Sequence, residues 1–172
     1  MANDGEYCFN HCNGYCCTKY TVLITTEDIK RILENTPLKP TQFLTLYYVN
    51  EEILKLFPKI TLASEDIVLG LRQRPDGSCI FYLKELGLCG IHLYKPMVCR
   101  TYPFTLNDKG QLIRLENICP GEWYPKNIED LKDQIRQAWY EMEINKKKIE
   151  MWNKKNSDLG FNDLIKFILK DI

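Results

Sequence analysis

Eight cysteines, four of them within ten residues, constrain this chain more than any other feature. The stretch "CFNHCNGYCC" carries Cys8, Cys12, Cys16 and Cys17, and Cys79, Cys89, Cys99 and Cys119 follow at wide intervals. Thiols so crowded serve as disulfide staples, metal ligands or reactive nucleophiles, and each role suits a different setting. With 172 residues the chain can bury a core without covalent cross-links. Its opening "MANDGEYCFN" lacks the basic and apolar regions of a secretory signal, and no apolar run approaches the roughly 18 residues of a membrane span. The expectation is a cytoplasmic protein with no membrane partner. In a reducing compartment, clustered cysteines read as metal ligands or catalysts rather than disulfides. The 23 basic and 23 acidic residues cancel, which gives no support to a nucleic-acid partner.

The rest of the chain predicts a single α+β domain over residues 1–172: a small, loop-rich, metal-stapled fold with short strands and a helical C-terminal segment. Residues 8–121 form its cysteine-rich part and 126–172 its helical part. "YTVLIT" (Tyr20–Thr25) reads as a strand, followed by a helix capped at Thr26 with Ile29, Ile32 and Leu33 on its apolar face and Pro37 as its stop. "PTQFLTLYYVNEEILKLFP" suits helix, strand or both. "IVLGL" and "CIFYL" read as a strand pair around the turn Arg74-Pro75-Asp76-Gly77. "LIRLE" is a further strand, after a turn at Asn107-Asp108-Lys109-Gly110. Ile128, Leu131, Ile135, Ala138, Trp139, Met142, Ile149 and Trp152 follow helical spacing. Phe161, Leu164, Ile165, Ile168 and Leu169 mark a last amphipathic helix after Gly160. The run Lys146–Lys148 reads as a solvated helix face.

Four plus four cysteines suit two tetrahedral thiolate sites, or one cluster with one structural site. Side chains of adjacent residues diverge, so Cys16 and Cys17 point to two sites or one multi-metal cluster. His11 and His92 read as hydrogen-bonding loop residues. With only two histidines to act as bases, nucleophilic cysteines are the weaker reading. "CFNHCNGYCC" together with "CIFYLKELGLCGIHLYKPMVCRTYPF" resembles the zinc- or iron-chelating CxxCxxCC family, also called YkgJ-like, which is similar to the cysteine-rich domain of flagellin lysine-N-methylases. The match runs through Cys16-Cys17, Cys79, Cys89, Cys99-Arg100 and Tyr102-Pro103-Phe104, and Cys119-Pro120-Gly121 resembles the closing Cys-Pro-Gly of many members. Three positions depart: the first cluster is spaced C-x3-C-x3-CC, Lys95-Pro96 stands for Arg-Pro, and His92 stands for Tyr.

The resemblance implies metal ligation by Cys8, Cys12, Cys16, Cys17, Cys79, Cys89, Cys99 and Cys119. All-cysteine ligation favours an iron–sulfur cluster, [4Fe–4S] above others, over zinc. Lys95 and Arg100 are the cations expected to offset its charge. The resemblance further implies S-adenosylmethionine-dependent methylation of lysines on a protein substrate, with Arg100 or Tyr102 orienting the substrate amine. No Gly-rich strand-to-helix loop of a Rossmann-type methyltransferase is present. The alternatives are a zinc-stabilised interaction module and a metal-delivery protein without catalysis.

Overall fold

The structure, a computed structural model, describes residues 12–116, 119, 124–156 and 158–170. It is α+β, with helices interspersed among three small antiparallel sheets. Packing gathers the described residues into two units, each made of two separated stretches. One draws on Met1–Val22 and Gln73–Trp139 and holds every described cysteine; the other draws on Leu23–Arg72 and Tyr140–Ile172.

In the cysteine-free unit the central strand is Glu65–Leu71, flanked antiparallel by Leu44–Tyr48 and Ile60–Leu62. Every residue from Ile67 to Leu71 is buried, which explains an unbroken apolar run where a half-buried strand would alternate. The expected pairing of "IVLGL" with "CIFYL" is not made, because the latter curls into a turn. The ambiguous stretch is both helix and strand: helix Pro40–Phe43 leads into strand Leu44–Tyr48, and helix Glu51–Leu56 follows. The expected strand Tyr20–Thr25 shrinks to one bridge, Leu23 to Gly70. Thr25 is committed elsewhere, as the N-cap of helix Thr26–Asn35. Its Oγ1 accepts from the Asp28 N–H at 3.1 Å and its own N–H donates to Asp28 Oδ2 at 3.0 Å. The cap is therefore Thr25, one residue before the expected Thr26.

The long helix Ile128–Lys155 contributes to both units. In the cysteine-bearing unit, Leu131 and Ile135 pack with Phe104 and Leu106, from the hairpin that pairs Phe104–Leu106 with Leu112–Arg114. The turn of that hairpin closes where expected, with the Gly110 N–H donating to Asn107 O at 2.8 Å. Ile128 and Trp139, expected on the apolar stripe, are exposed. In the other unit the inward positions include Glu141 and Asn145 beside Ile149 and Trp152. Arg31 donates to Glu141 Oε2 and to Asp28 Oδ1, both at 2.6 Å, and Asn145 Oδ1 accepts from the Thr26 N–H at 3.1 Å. Buried polar groups persist when they are paired in this way. The Trp152 indole N–H donates to Thr61 O at 2.9 Å. The last helix, Phe161–Leu169, buries Leu164, Ile165 and Ile168 as expected. Within the lysine run, Lys148 is half-buried and donates to Ile168 O at 3.0 Å, near the end of that helix, where a cation is favoured. Among the described residues no helix is long and apolar enough to cross a membrane.

Strands Ile60–Leu62 and Glu65–Leu71 are joined by Ala63 and Ser64, whose φ angles of 48° and 70° place both in the left-handed region. A two-residue hairpin with this backbone favours Asn-Gly, and each ordinary residue held there costs about 1–2 kcal/mol. The double substitution Ala63→Asn, Ser64→Gly is expected to stabilise the protein by about 1 kcal/mol or more, measured as a higher urea midpoint at unchanged slope.

Candidate metal centre

The first cysteine cluster opens on a tight turn. Asn13 and Gly14 have φ angles of 46° and 68°, and the Tyr15 N–H donates to Cys12 O at 3.3 Å. Helix Tyr15–Lys19 follows and carries Cys16 and Cys17. A Cβ on Gly14 would run into the Tyr82 ring, whose hydroxyl donates to Asn13 O at 2.8 Å. Only glycine allows both that backbone and that approach. The Asn-Gly dipeptide is the signal that marks this turn in the sequence.

The second segment docks on the first through its backbone, with the Cys79 N–H donating to Cys17 O at 2.7 Å. From Cys79 the chain turns sharply, the Tyr82 N–H reaching back to Cys79 O at 3.0 Å. A short hairpin then pairs Tyr82 with Cys89 and Leu83 with Leu88, which returns Cys89 to the base of the turn. Helix Met97–Thr101, introduced by Pro96, supplies Cys99. The sequence expects a strand at "CIFYL". Arg74 draws the carbonyls of Cys79, Ile80 and Tyr82 onto its guanidinium at 2.8, 2.7 and 2.7 Å, and the strand is cut back to Tyr82–Leu83.

These elements bring together Cys16, Cys17, Cys79, Cys89 and Cys99. Each of the other four feels the charge of Cys16, and Cys79 and Cys89 are likewise felt by Cys99 and Cys17. Cys12 acts on Cys16, and Cys119 acts on Tyr102, which also feels Cys16. None of the seven described cysteines is in a disulfide. Cys8 and His11 lie outside the described residues. Among the described residues, no three His, Cys, Asp or Glu side chains close to metal-holding distance, so the thiols are gathered but not drawn tight.

Burial is the first cause that pushes Cys79 up from the ordinary thiol value of 9.0 to about 11, and it also raises Cys89 and, most strongly, Cys99. The Cys17 thiol donates to Cys16, which raises Cys17 and lowers Cys16. Four features pull the other way, the charge of Arg74 on Cys79 among them. The Phe81 N–H donates to the Cys79 sulfur and the Ile91 N–H to the Cys89 sulfur. The Lys95 ammonium lowers Cys16, Cys89 and Cys99. The site is built for thiolates, yet burial keeps them protonated until a cation arrives. An all-thiol donor set with amide N–H groups already on sulfur fits a soft-to-borderline ion such as zinc or iron.

The expected cations have different places. Lys95 faces the thiols. Arg100 donates Nε to Lys95 O at 3.1 Å and Nη2 to Leu93 O at 2.6 Å, and so braces the loop that presents Lys95. Burial and the charges of Lys95 and Arg100 depress His92, which favours a neutral ring. The Tyr102 ring lies 5.8 Å from that of Tyr20. Its hydroxyl is buried, and burial first, then a hydrogen bond with Tyr20 and the charges of Tyr20, Cys119 and Cys16, raise it. Arg74 and the Asn13-Gly14 turn are site residues that the cysteine spacing does not reveal.

Fold and site together define a cysteine-rich, metal-chelating domain. The chain belongs to the CxxCxxCC family, described as a zinc- or iron-chelating domain, whose sequence model matches residues 7–120. No curated protein and no solved structure matches it.

The thiol values set a pH dependence for the metal-free protein. Between about pH 9 and 11 the unfolded chain releases the Cys79 proton while the folded chain keeps it, so folding stability falls as pH rises through that window. Cys17, Cys89 and Cys99, raised as well, act in the same direction. Urea unfolding with the metal removed is expected to show this alkaline loss, and Cys79→Ser is expected to reduce it.

Proposed function

We propose that this chain holds a polynuclear thiolate centre, and that the centre is an iron–sulfur cluster. The observation that carries the reading is the gathering of Cys16, Cys17, Cys79, Cys89 and Cys99, with Cys12 acting on Cys16 and Cys119 on Tyr102. One tetrahedral ion takes four thiolates, so five neighbouring thiols exceed a single structural zinc. Cys8 completes the proposed donor set. When bound, an iron–sulfur cluster supplies one-electron chemistry and exchangeable iron coordination. The protein supplies the Lys95 charge, which offsets thiolate charge, and the two amide N–H groups on Cys79 and Cys89, which stabilise the anionic sulfurs.

The finer part of this proposal is methyl transfer from S-adenosylmethionine to lysines of a protein substrate. Two features support it. The Tyr102 hydroxyl is buried beside Tyr20 and within the field of Cys16 and Cys119, where its oxygen would accept from a substrate amine. Lys95, whose charge reaches Cys16, Cys89 and Cys99, is the cation that would pair with the carboxylate of S-adenosylmethionine. Arg100 acts through Lys95, by holding its carbonyl.

Anaerobic purification, followed by a visible spectrum and analysis for iron, zinc and acid-labile sulfide, tests the reading. Broad absorption near ~400 nm with matched iron and sulfide is the expected result. S-adenosylmethionine binding by that material is then expected to weaken in Lys95→Ala. A colourless protein with stoichiometric zinc would replace the cluster with a zinc-stabilised interaction module, and iron-loaded protein that ignores S-adenosylmethionine would remove methyl transfer alone.

A further inference from the structure

Arg74 belongs to no cysteine motif, yet more of the second thiol segment is anchored to it than to any cysteine. It closes the turn Arg74–Ser78 by its backbone, with the Arg74 N–H donating to Ser78 O at 2.7 Å and the Gly77 N–H to Arg74 O at 2.9 Å. Asp76 Oδ1 locks the same turn by accepting from the Ser78 N–H at 3.0 Å and from its hydroxyl at 2.6 Å. The half-buried guanidinium then reaches forward. Its Nη1 takes Cys79 O and Tyr82 O, and its Nη2 takes Ile80 O. A flat, forked cation can gather three carbonyls from one short loop; a lysine ammonium offers a single point of charge.

Gathering these carbonyls fixes what the peptide units present on their other side. Each peptide plane sets its N–H opposite its C=O. The Ile80 carbonyl held by Arg74 shares its peptide plane with the Phe81 N–H, the group that donates to the Cys79 sulfur. The Cys79 carbonyl, also on Arg74, accepts from the Tyr82 N–H and so tightens the same turn. We infer that Arg74 is the positioning residue of the Cys79 thiol: its fork on the Cys79, Ile80 and Tyr82 carbonyls aims the Phe81 N–H at the sulfur. The inference rests on Cys79 being a metal ligand, as proposed above. The Arg74 charge also favours the Cys79 thiolate directly, while its fork acts through the loop.

The test is a Co(II) titration of metal-free wild type, Arg74→Gln, Arg74→Lys, Cys79→Ser and Arg74→Gln/Cys79→Ser, read by sulfur-to-cobalt charge-transfer absorption. Far-ultraviolet circular dichroism checks the fold of each metal-free variant. Arg74→Gln is expected to weaken Co(II) binding about 10- to 100-fold, the usual effect of losing an outer partner of a ligand. Arg74→Lys is expected to weaken it nearly as much, because the charge stays but the fork is lost. In the Cys79→Ser background Arg74→Gln is expected to add almost nothing, since the sulfur it serves is gone. Full affinity in either single Arg74 variant overturns the inference, as do effects of Arg74→Gln and Cys79→Ser that simply multiply. Lost circular dichroism in Arg74→Gln with normal binding by folded Arg74→Lys also overturns it. Wild type that takes up no Co(II), or Cys79→Ser that binds with wild-type affinity and spectrum, removes the metal-ligand reading itself, and the inference falls with it.

Discussion

A hydrogen bond of 2.7 Å from the Cys79 N–H to Cys17 O joins the two thiol-bearing segments, and the metal centre depends on it. Cys16 and Cys17 reach that junction on a helix of five residues, too short to persist without its tertiary contacts. Asn13 and Gly14 set its entry angle, and the Tyr82 ring packs against Gly14 because no side chain stands there. On the other side, Arg74 curls the Cys79 loop and the hairpin returns Cys89 beneath it. Each device would be costly alone; together they place thiols from distant parts of the chain within one another's fields.

Electrostatics explains why this assembly calls for a cation. Burial alone drives cysteine toward the neutral thiol. Here it does so at Cys79, Cys89 and Cys99, while Lys95 and the Phe81 and Ile91 N–H groups favour the opposite form. A site that buries sulfur yet supplies anion-stabilising donors holds two opposed tendencies, and a bound metal resolves both. It replaces the protons and makes burial favourable, so that metal affinity and folding stability become linked.

The sequence revealed this site unevenly, for physical reasons. Cysteine spacing is chemistry written directly in residue identity, so candidate thiol donors could be picked out at once. Helix Phe161–Leu169 and the turns at Arg74–Gly77 and Asn107–Gly110 are local, set by apolar spacing and by glycine, and they form where expected. Long-range choices were hidden. "CIFYL" has strand composition, and only the presence of a guanidinium with three carbonyls on it explains why it turns. Ala63-Ser64 forms a hairpin turn without any of the residues that usually announce one. Glu141 and Asn145 face inward on a helix where apolar periodicity assigns the buried stripe to hydrophobic neighbours, and their partners Arg31 and Thr26 lie far away in sequence. Arg100, beside Cys99 in the motif, reads as a cofactor cation, yet its Nε and Nη2 donate to the Lys95 and Leu93 carbonyls.

The central claim is that cysteines from separate segments meet in one polynuclear, sulfur-only centre. X-ray absorption at the edge of the natively bound metal tests it most directly. The account predicts a first shell of sulfur alone, with a metal–metal distance resolved beyond it. A first shell containing nitrogen or oxygen, with no neighbouring metal, would contradict it.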